Sequence, residues 1–346
     1  MNNLVFGPAV LGNTVVWKPA ESASLVAHLS MQLLREAGLP DGVVNVVYGD
    51  GVEIGGVALA HRDLAAVHFT GSSATFQHIW RTVGANVASY RNYPRVVGET
   101  GGKDFIVAHP SADVDALAVA CIRGAYEYQG QKCSAASRLY APRSLWPALK
   151  ERLVALTESV VVGDPTEPET FVGAVINAKQ HAKHAEALAR ARAESLVVLG
   201  GNTDDSTGWF VDPTVLEVAD PSSPFITQEL FAPVLTTYVY DDADGEQTLK
   251  LVDESTPYGL TGAVFASDEA AVRQAADALR YTAGNFYVND KPTGSVVGQQ
   301  PFGGARASGT NDKAGTVWNM IRFASPRSIK RNHLAVRDYR YPHLEV

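Results

Sequence analysis

Over its first hundred residues the chain alternates short apolar runs with amphipathic stretches, and few architectures accept that alternation. "NTVVWKP" reads as a strand stopped by Pro19, and "SASLVAHLSMQLLREAG" as an amphipathic helix with Ser22 as candidate N-cap and Gly38 as its stop. "GVVNVVYG" and "AAVHFTG" are further strands, and "GVEIGGVALAHR" and "SATFQHIWRTVGANV" further helices. Strands and helices in strict succession predict an α/β domain with a parallel sheet. The pattern continues through "PRVVGETGGKDFIVAHP" to a helix from Ser111 to Tyr126, with Asp113 and Asp115 well placed in its first turn. "LYAPRSLWPALKERLVALTESV" follows as a strand and a helix. "AKQHAKHAEALARARAE" predicts an exposed helix of mixed charge and "DEAAVRQAADALR" another helix. "SLVVLGG", "WFVDPTVLEV", "VLTTYVYD", "TGAVFAS" and "AGNFYVND" predict strands. Glycine and proline crowd residues 291–309, which suits an ordered functional loop or a domain crossover.

The chain is 46% hydrophobic and 19% charged with a net charge of −8, the balance of a globular chain with a core and no basic footprint for nucleic acid. "RSIKRNH" near the end is a short mixed cluster that reads as a solvated tail. Cys121 and Cys133 are the only thiols, too few for a disulfide framework and in keeping with a reducing compartment. The first residues lack a basic leader pattern and no apolar run is long enough for a bilayer, so a cytoplasmic protein with no membrane partner is expected. His181 and His184 lie three apart on one helix without a third ligand nearby, which predicts a surface helix and no metal site.

The two cysteines differ in context. Cys121 sits in "LAVACIRGAY", where a thiol is a small buried hydrophobe. Cys133 stands among Gly130, Gln131, Lys132, Ser134 and Ala135, where small neighbours leave it accessible and a nearby cation would lower its pKa. On these grounds alone Cys133 is either a nucleophile or a packing residue. "GETGGKD" places Glu99 before a glycine pair, as a carboxylate able to activate water or as a solvated turn residue.

Taken together, "GETGGKD" and "GQKCSAASR", with Glu99 and Cys133 34 positions apart, resemble the aldehyde dehydrogenase superfamily. "GNTVVWKPA" looks like its cofactor strand, "HFTGS" its pyrophosphate turn, "QELFAPV" its second ribose-binding motif, and "PYGLTGAVF" a stretch of its catalytic domain. The resemblance covers essentially the whole chain. It implies an aldehyde dehydrogenase-like α/β fold, with a partial Rossmann-type cofactor domain and an α/β catalytic domain. Residues 1–98 would be the C-terminal part of the NAD-binding domain and 99–308 the catalytic domain. Residues 309–330 would return to the first domain, and 331–346 would be a tail. "NDKPTGSVVGQQPFGGARASGTN" is similar to the substrate-anchor loop of the L-glutamate γ-semialdehyde (1-pyrroline-5-carboxylate) dehydrogenases within that family. That branch oxidises its semialdehyde to glutamate in proline catabolism. Read without the resemblance, the same loop is a plain interdomain crossover.

The resemblance implies a role for each matching residue. The Cys133 thiolate attacks the aldehyde, a thioester is left after hydride transfer to NAD⁺, and Glu99 activates the hydrolytic water. The Cys133 N–H would serve the oxyanion. Gly294 and Ser295 would hold the substrate α-carboxylate, Ser134 would touch the substrate, and Phe302 would pack on its aliphatic part. Lys18 would meet the adenosine ribose, Gly71 and Ser72 the pyrophosphate at a helix N-terminus, Glu229 the nicotinamide ribose, and Phe231 the ring. No G-x-G-x-x-G fingerprint stands at a strand–helix turn.

Only eleven residues precede Gly12, so the family's N-terminal segment, with its oxyanion Asn and oligomerisation hairpin, has no counterpart in this sequence. Loss of one oxyanion donor would cost roughly 10²–10³ in turnover. A dehydrogenase of another aldehyde, or a catalytically inactive truncated family member, is the alternative expectation. Assemblies are common in the family, so a homo-oligomer is implied, with residues 333–346 as a candidate flap.

Overall fold

The computed structural model describes residues 2–296 and 298–344; Val297 of the glycine-rich loop and the last two residues of the tail lie outside them. A seven-stranded sheet carries the larger part. Its order is Asn285–Val288, Thr261–Phe265, Asp104–Ala108, Ala136–Pro142, Val234–Tyr240, Thr214–Val218 and Val197–Leu199, all parallel except the last, which is antiparallel. Asp104–Ala108 and Thr261–Phe265 are buried along their whole length, the pattern of parallel strands covered by helices on both faces.

Helix Val114–Tyr126 starts on Asp113, whose carboxylate accepts from the Ala116 N–H at 3.0 Å. It buries Leu117, Ala118, Cys121 and Ile122, so Cys121 is the packing residue the sequence suggests. Beyond it Tyr128, Gln129 and Gly130 take φ of 56°, 58° and 63° in succession. Three left-handed residues in a row turn the chain sharply out of the helix and deliver Cys133 to a short loop before strand Ala136–Pro142.

The smaller part holds two parallel ladders, Val15–Trp17 with Val44–Val46 and Ala66–Thr70 with Arg95–Glu99. The expected single sheet is therefore two pieces among the described residues. His68 of the second ladder contacts Asn3 and Phe323, from the beginning and the returning end of the chain. Residues 309–324 return to this part: Asn13 donates to the Phe323 carbonyl at 3.0 Å, and Arg95 to those of Arg322 and Ala324. Residues 325–344 are exposed.

Two local expectations are corrected. Ser22 caps nothing: it lies within the 3-10 turn Glu21–Ala23, and helix Ser24–Glu36 begins after it. Gly38, at φ 90°, does follow that helix as its stop. Helix Ala178–Ala193 is not exposed all round, because His181, His184, Leu188 and Ala191 form a buried stripe. The two histidines are core residues, and burial holds His184 down to about 4. No helix among the described residues is long and apolar enough to cross a membrane.

Candidate active site

Glu99 ends its strand at the junction of the two parts. Its carbonyl accepts from the Gly71 N–H at 3.2 Å, and the next residue, Thr100, donates its N–H to the Ser308 carbonyl at 2.8 Å. One carboxylate oxygen accepts from the Gly304 N–H at 3.1 Å. Burial pushes the carboxyl up to about 8, against the opposing pull of that hydrogen bond and of Lys313, with Asp312 adding to the rise. A solvated turn glutamate would not be perturbed in this way.

The turn after Glu99 has to be glycine. A side chain on Gly102 would come within 2.2 Å of the Cys133 carbonyl oxygen, and one on Gly101 within 2.4 Å of the Glu229 carboxylate. That absence of side chains lets the strand of Glu99, the loop of Cys133 and the loop of Glu229 meet. The Gly102 N–H then donates to Glu229 at 3.0 Å.

Cys133 is partly exposed. Its thiol is pushed up to about 12 by burial first and then by the charges of Asp104, Glu99 and Glu229, while its own backbone N–H pulls the other way. The expected lowering by a neighbouring cation does not occur. Lys132 turns away to pair with Glu127 at 2.9 Å. The resting thiol is therefore neutral, and iodoacetamide at pH 7 should label Cys133 on the order of 10³-fold more slowly than a free cysteine. Cys121 should stay unlabelled until the chain unfolds. Peptide mass spectrometry over a time course measures both, and labelling of Cys133 at the free rate would contradict the neutral thiol.

Ser134 is buried, and its hydroxyl meets that of Thr293 at 2.8 Å. This contact joins the Cys133 loop to the glycine-rich loop. Gly294 follows at φ 78°, exposed, with Ser295 half-buried beside it. Beneath them the Lys291 ammonium donates to the Thr293 carbonyl at 3.0 Å. Phe302 is half-buried and pairs with Ala314 across an antiparallel bridge.

Of the remaining sequence candidates, Ser72 caps helix Ser73–Ala85, accepting from the Thr75 N–H at 3.2 Å, so the helix's first amides face out beside Gly71. Lys18 follows strand Val15–Trp17, with its side chain against Gly51 at the start of helix Gly51–Ala60. Phe231 is strained at φ 63°, and Lys183 and His184 brace the loop beside it by bonding the Leu230 carbonyl, each at 3.1 Å.

Sequence reasoning passed over a buried charge cluster behind the thiol. Asp104 accepts from the Thr261 N–H at 2.6 Å and its second oxygen has no partner. Burial raises Asp104 to about 8 and lowers Lys103 to about 7. Arg138, only 2% exposed, lies over the rings of Phe105 and Tyr140. The available signal was charge inside apolar strands, Lys103 and Asp104 before "FIVA" and Arg138 before "LYAP".

The sequence matches the aldehyde dehydrogenase family over residues 3–329. It is 50% identical to the mitochondrial delta-1-pyrroline-5-carboxylate dehydrogenase of Bos taurus, over 99% of this chain and 62% of the bovine one. It is 48% identical to the Homo sapiens counterpart, again over 62% of that protein. The chain thus spans less than two thirds of these curated relatives. The Delta-pyrroline-5-carboxylate dehydrogenase of Mycobacterium tuberculosis, solved with NAD bound, superposes with a TM-score of 0.93 at 52% identity, covering 100% of this chain and 64% of that one. A 1-pyrroline-5-carboxylate dehydrogenase from Thermus with bound NAD gives 0.86 at 36% identity, over 92% and 61%. The expected cytoplasmic location is overturned here: the Bos taurus, Mus musculus and Homo sapiens relatives are mitochondrial.

Proposed function

The chain belongs to the aldehyde dehydrogenase family, and on that premise we propose that it oxidises L-glutamate γ-semialdehyde, the open form of 1-pyrroline-5-carboxylate, to L-glutamate with NAD⁺ as acceptor. The observation that carries this reading is the convergence of four segments: the Gly101–Gly102 stretch after Glu99 packs on Glu229 and the Cys133 carbonyl, Ser134 bonds Thr293, and the Gly304 N–H bonds Glu99.

The residues present fit NAD. The Ser72-capped helix offers free amides to a pyrophosphate, Lys18 can reach a ribose, and Glu229 already stands over the Gly101–Gly102 turn. When bound, NAD⁺ supplies the hydride acceptor. Everything else falls to the chain. Cys133 Sγ gives its proton to solvent water and bonds to the aldehyde carbon, whose carbonyl electron pair moves onto oxygen, and the Cys133 N–H steadies that oxyanion. Hydride loss converts the adduct to a thioester. Glu99 then takes a proton from water as that water attacks, the C–Sγ bond breaks, and L-glutamate leaves. Gly294 and Ser295 hold the α-carboxylate, and Phe302 lies along the methylenes. In the same reading residues 1–98 and 309–330 form the cofactor part, 99–308 the catalytic part, and 331–346 an oligomerisation flap.

The test mixes the chain with NAD⁺ and the semialdehyde and follows NADH. Formation is expected, and it should vanish in Cys133→Ala. Ser134→Ala should raise KM for the semialdehyde by about tenfold, the worth of one hydrogen bond. No NADH from the unmodified chain refutes the activity, and equal turnover of simple aliphatic aldehydes refutes the substrate.

A further inference from the structure

Lys313 has no part in the reaction described above, yet it is built into the support of Glu99. It sits at φ 53°, directly before Ala314, whose bridge with Phe302 holds the two chain segments side by side. Its ammonium donates to the Gly303 carbonyl at 3.1 Å and to the Gly284 carbonyl at 2.6 Å. The N–H of the same peptide unit, that of Gly304, is the one that donates to Glu99 at 3.1 Å. A cation thus draws on the oxygen of one peptide while a carboxylate accepts from its nitrogen. Hydrogen bonds in series across a polarisable amide reinforce one another where the local dielectric is low.

The surroundings hold that peptide in place. A side chain on Gly284 would come within 1.8 Å of the Gly303 oxygen, so only glycine lets Lys313 gather both carbonyls. The Gly303 N–H is held by Asn285 at 3.2 Å. A side chain on Gly303 would press within 3.2 Å of the Glu99 carboxylate.

We propose that Lys313 is a positioning residue for Glu99, acting as its counter-charge through the Gly303–Gly304 peptide and not by direct contact. The proposal rests on the reading of Glu99 as general base. Other charged groups face the carboxylate too. Asp312 opposes Lys313 but is tied to Arg322 at 3.3 Å and to the Thr310 hydroxyl at 2.5 Å, and the Cys133 thiol is neutral at rest. Lys313 is the cation whose charge favours the Glu99 carboxylate, and Glu99 in turn favours the Lys313 ammonium.

The test reads the charge of Glu99 without cofactor or substrate. The infrared C=O band of the protonated Glu99 carboxyl, identified by its loss in Glu99→Gln, is titrated against pH. In Lys313→Met the midpoint should move up by about one pH unit, the effect of losing one nearby opposite charge. Lys313→Arg should stay close to the unmodified chain. A midpoint in Lys313→Met within a few tenths of the unmodified value overturns the proposal, because a merely structural lysine would leave it unmoved. Should that variant not fold, the unmodified chain still decides. With ¹³C-labelled lysine and glycine, the Lys313 Cε and Gly303 carbonyl signals must titrate at the Glu99 midpoint, and signals flat through that range overturn the pairing. The two claims fail separately. A chain that forms no NADH but shows the shift loses only the enzymatic reading, and one that turns over with an unmoved midpoint loses only the role of Lys313.

Discussion

Glu99→Gln is expected to halt the reaction after a single turnover. Glutamine keeps an acceptor for the Gly304 N–H, so the local geometry survives while the basic oxygen is gone. Cys133 should still be acylated, giving a burst of one NADH per chain. Hydrolysis should then fall by about 10²–10⁴, the usual contribution of a positioned base. Intact mass spectrometry should find the acyl chain. In the unmodified chain deacylation should climb with pH and level off above about 8, where burial places the Glu99 carboxyl. The variant should lack that limb. Stability follows from the same shift. A carboxyl raised in the folded state stabilises fully below the ordinary carboxylate range, and that contribution is lost as pH rises through about 8. Glu99→Gln should therefore gain stability relative to the unmodified chain between pH 6 and 8. Steady turnover by the variant at the unmodified rate at pH 8 would sink the assignment of the base.

Arg138→Met should be the most damaging change to the fold. Arg138 donates to the Ser255 hydroxyl at 2.5 Å and to Tyr140 at 3.2 Å, and its charge favours the ionised form of Asp104, whose second oxygen has no hydrogen-bond partner. Removing it leaves the Ser255 and Tyr140 hydroxyls without a buried donor and Asp104 without a favourable charge, at a cost of about 1–3 kcal/mol. Denaturant melts measure this. Asp104→Asn in the same chain should recover part of the loss, because the orphaned carboxyl is gone. A loss below about 1 kcal/mol, the scale of a surface pair, would show that the cluster does not act as a unit.

The alternation of strands and helices was legible because the period of apolar residues is a local property. Cys133 and Glu99 were legible because small residues surround both in the sequence. Pairings across the sheet were not. Arg138 reaches the Asp104 cluster because strand Ala136–Pro142 pairs with Asp104–Ala108 in a register that sets Phe105 beside Arg138, and nothing local encodes that register. The direction of the Cys133 shift was misjudged for a related reason: Lys132 is its neighbour in sequence, but the left-handed turn before it swings the ammonium to Glu127. His181 and His184 show the opposite failure. The mean polarity of their helix masked a stripe at 181, 184, 188 and 191, whose spacing marks one buried face.

The chain crosses between its two parts twice, and both crossings lie side by side. The Thr310 N–H bonds the Gly98 carbonyl at 2.9 Å, Gly309 bridges Glu99, and Thr100 bonds Ser308. Mechanically this is an axle. If the two parts rock against each other, the residues that travel least are those on the axle, and Glu99 is one of them. The Gly71–Ser73 turn lies against the same axle, through the Gly71 N–H on the Glu99 carbonyl and the Ser73 hydroxyl on that of Ala307. A relative rotation of the two parts would then leave the Glu99 carboxylate almost where it stood.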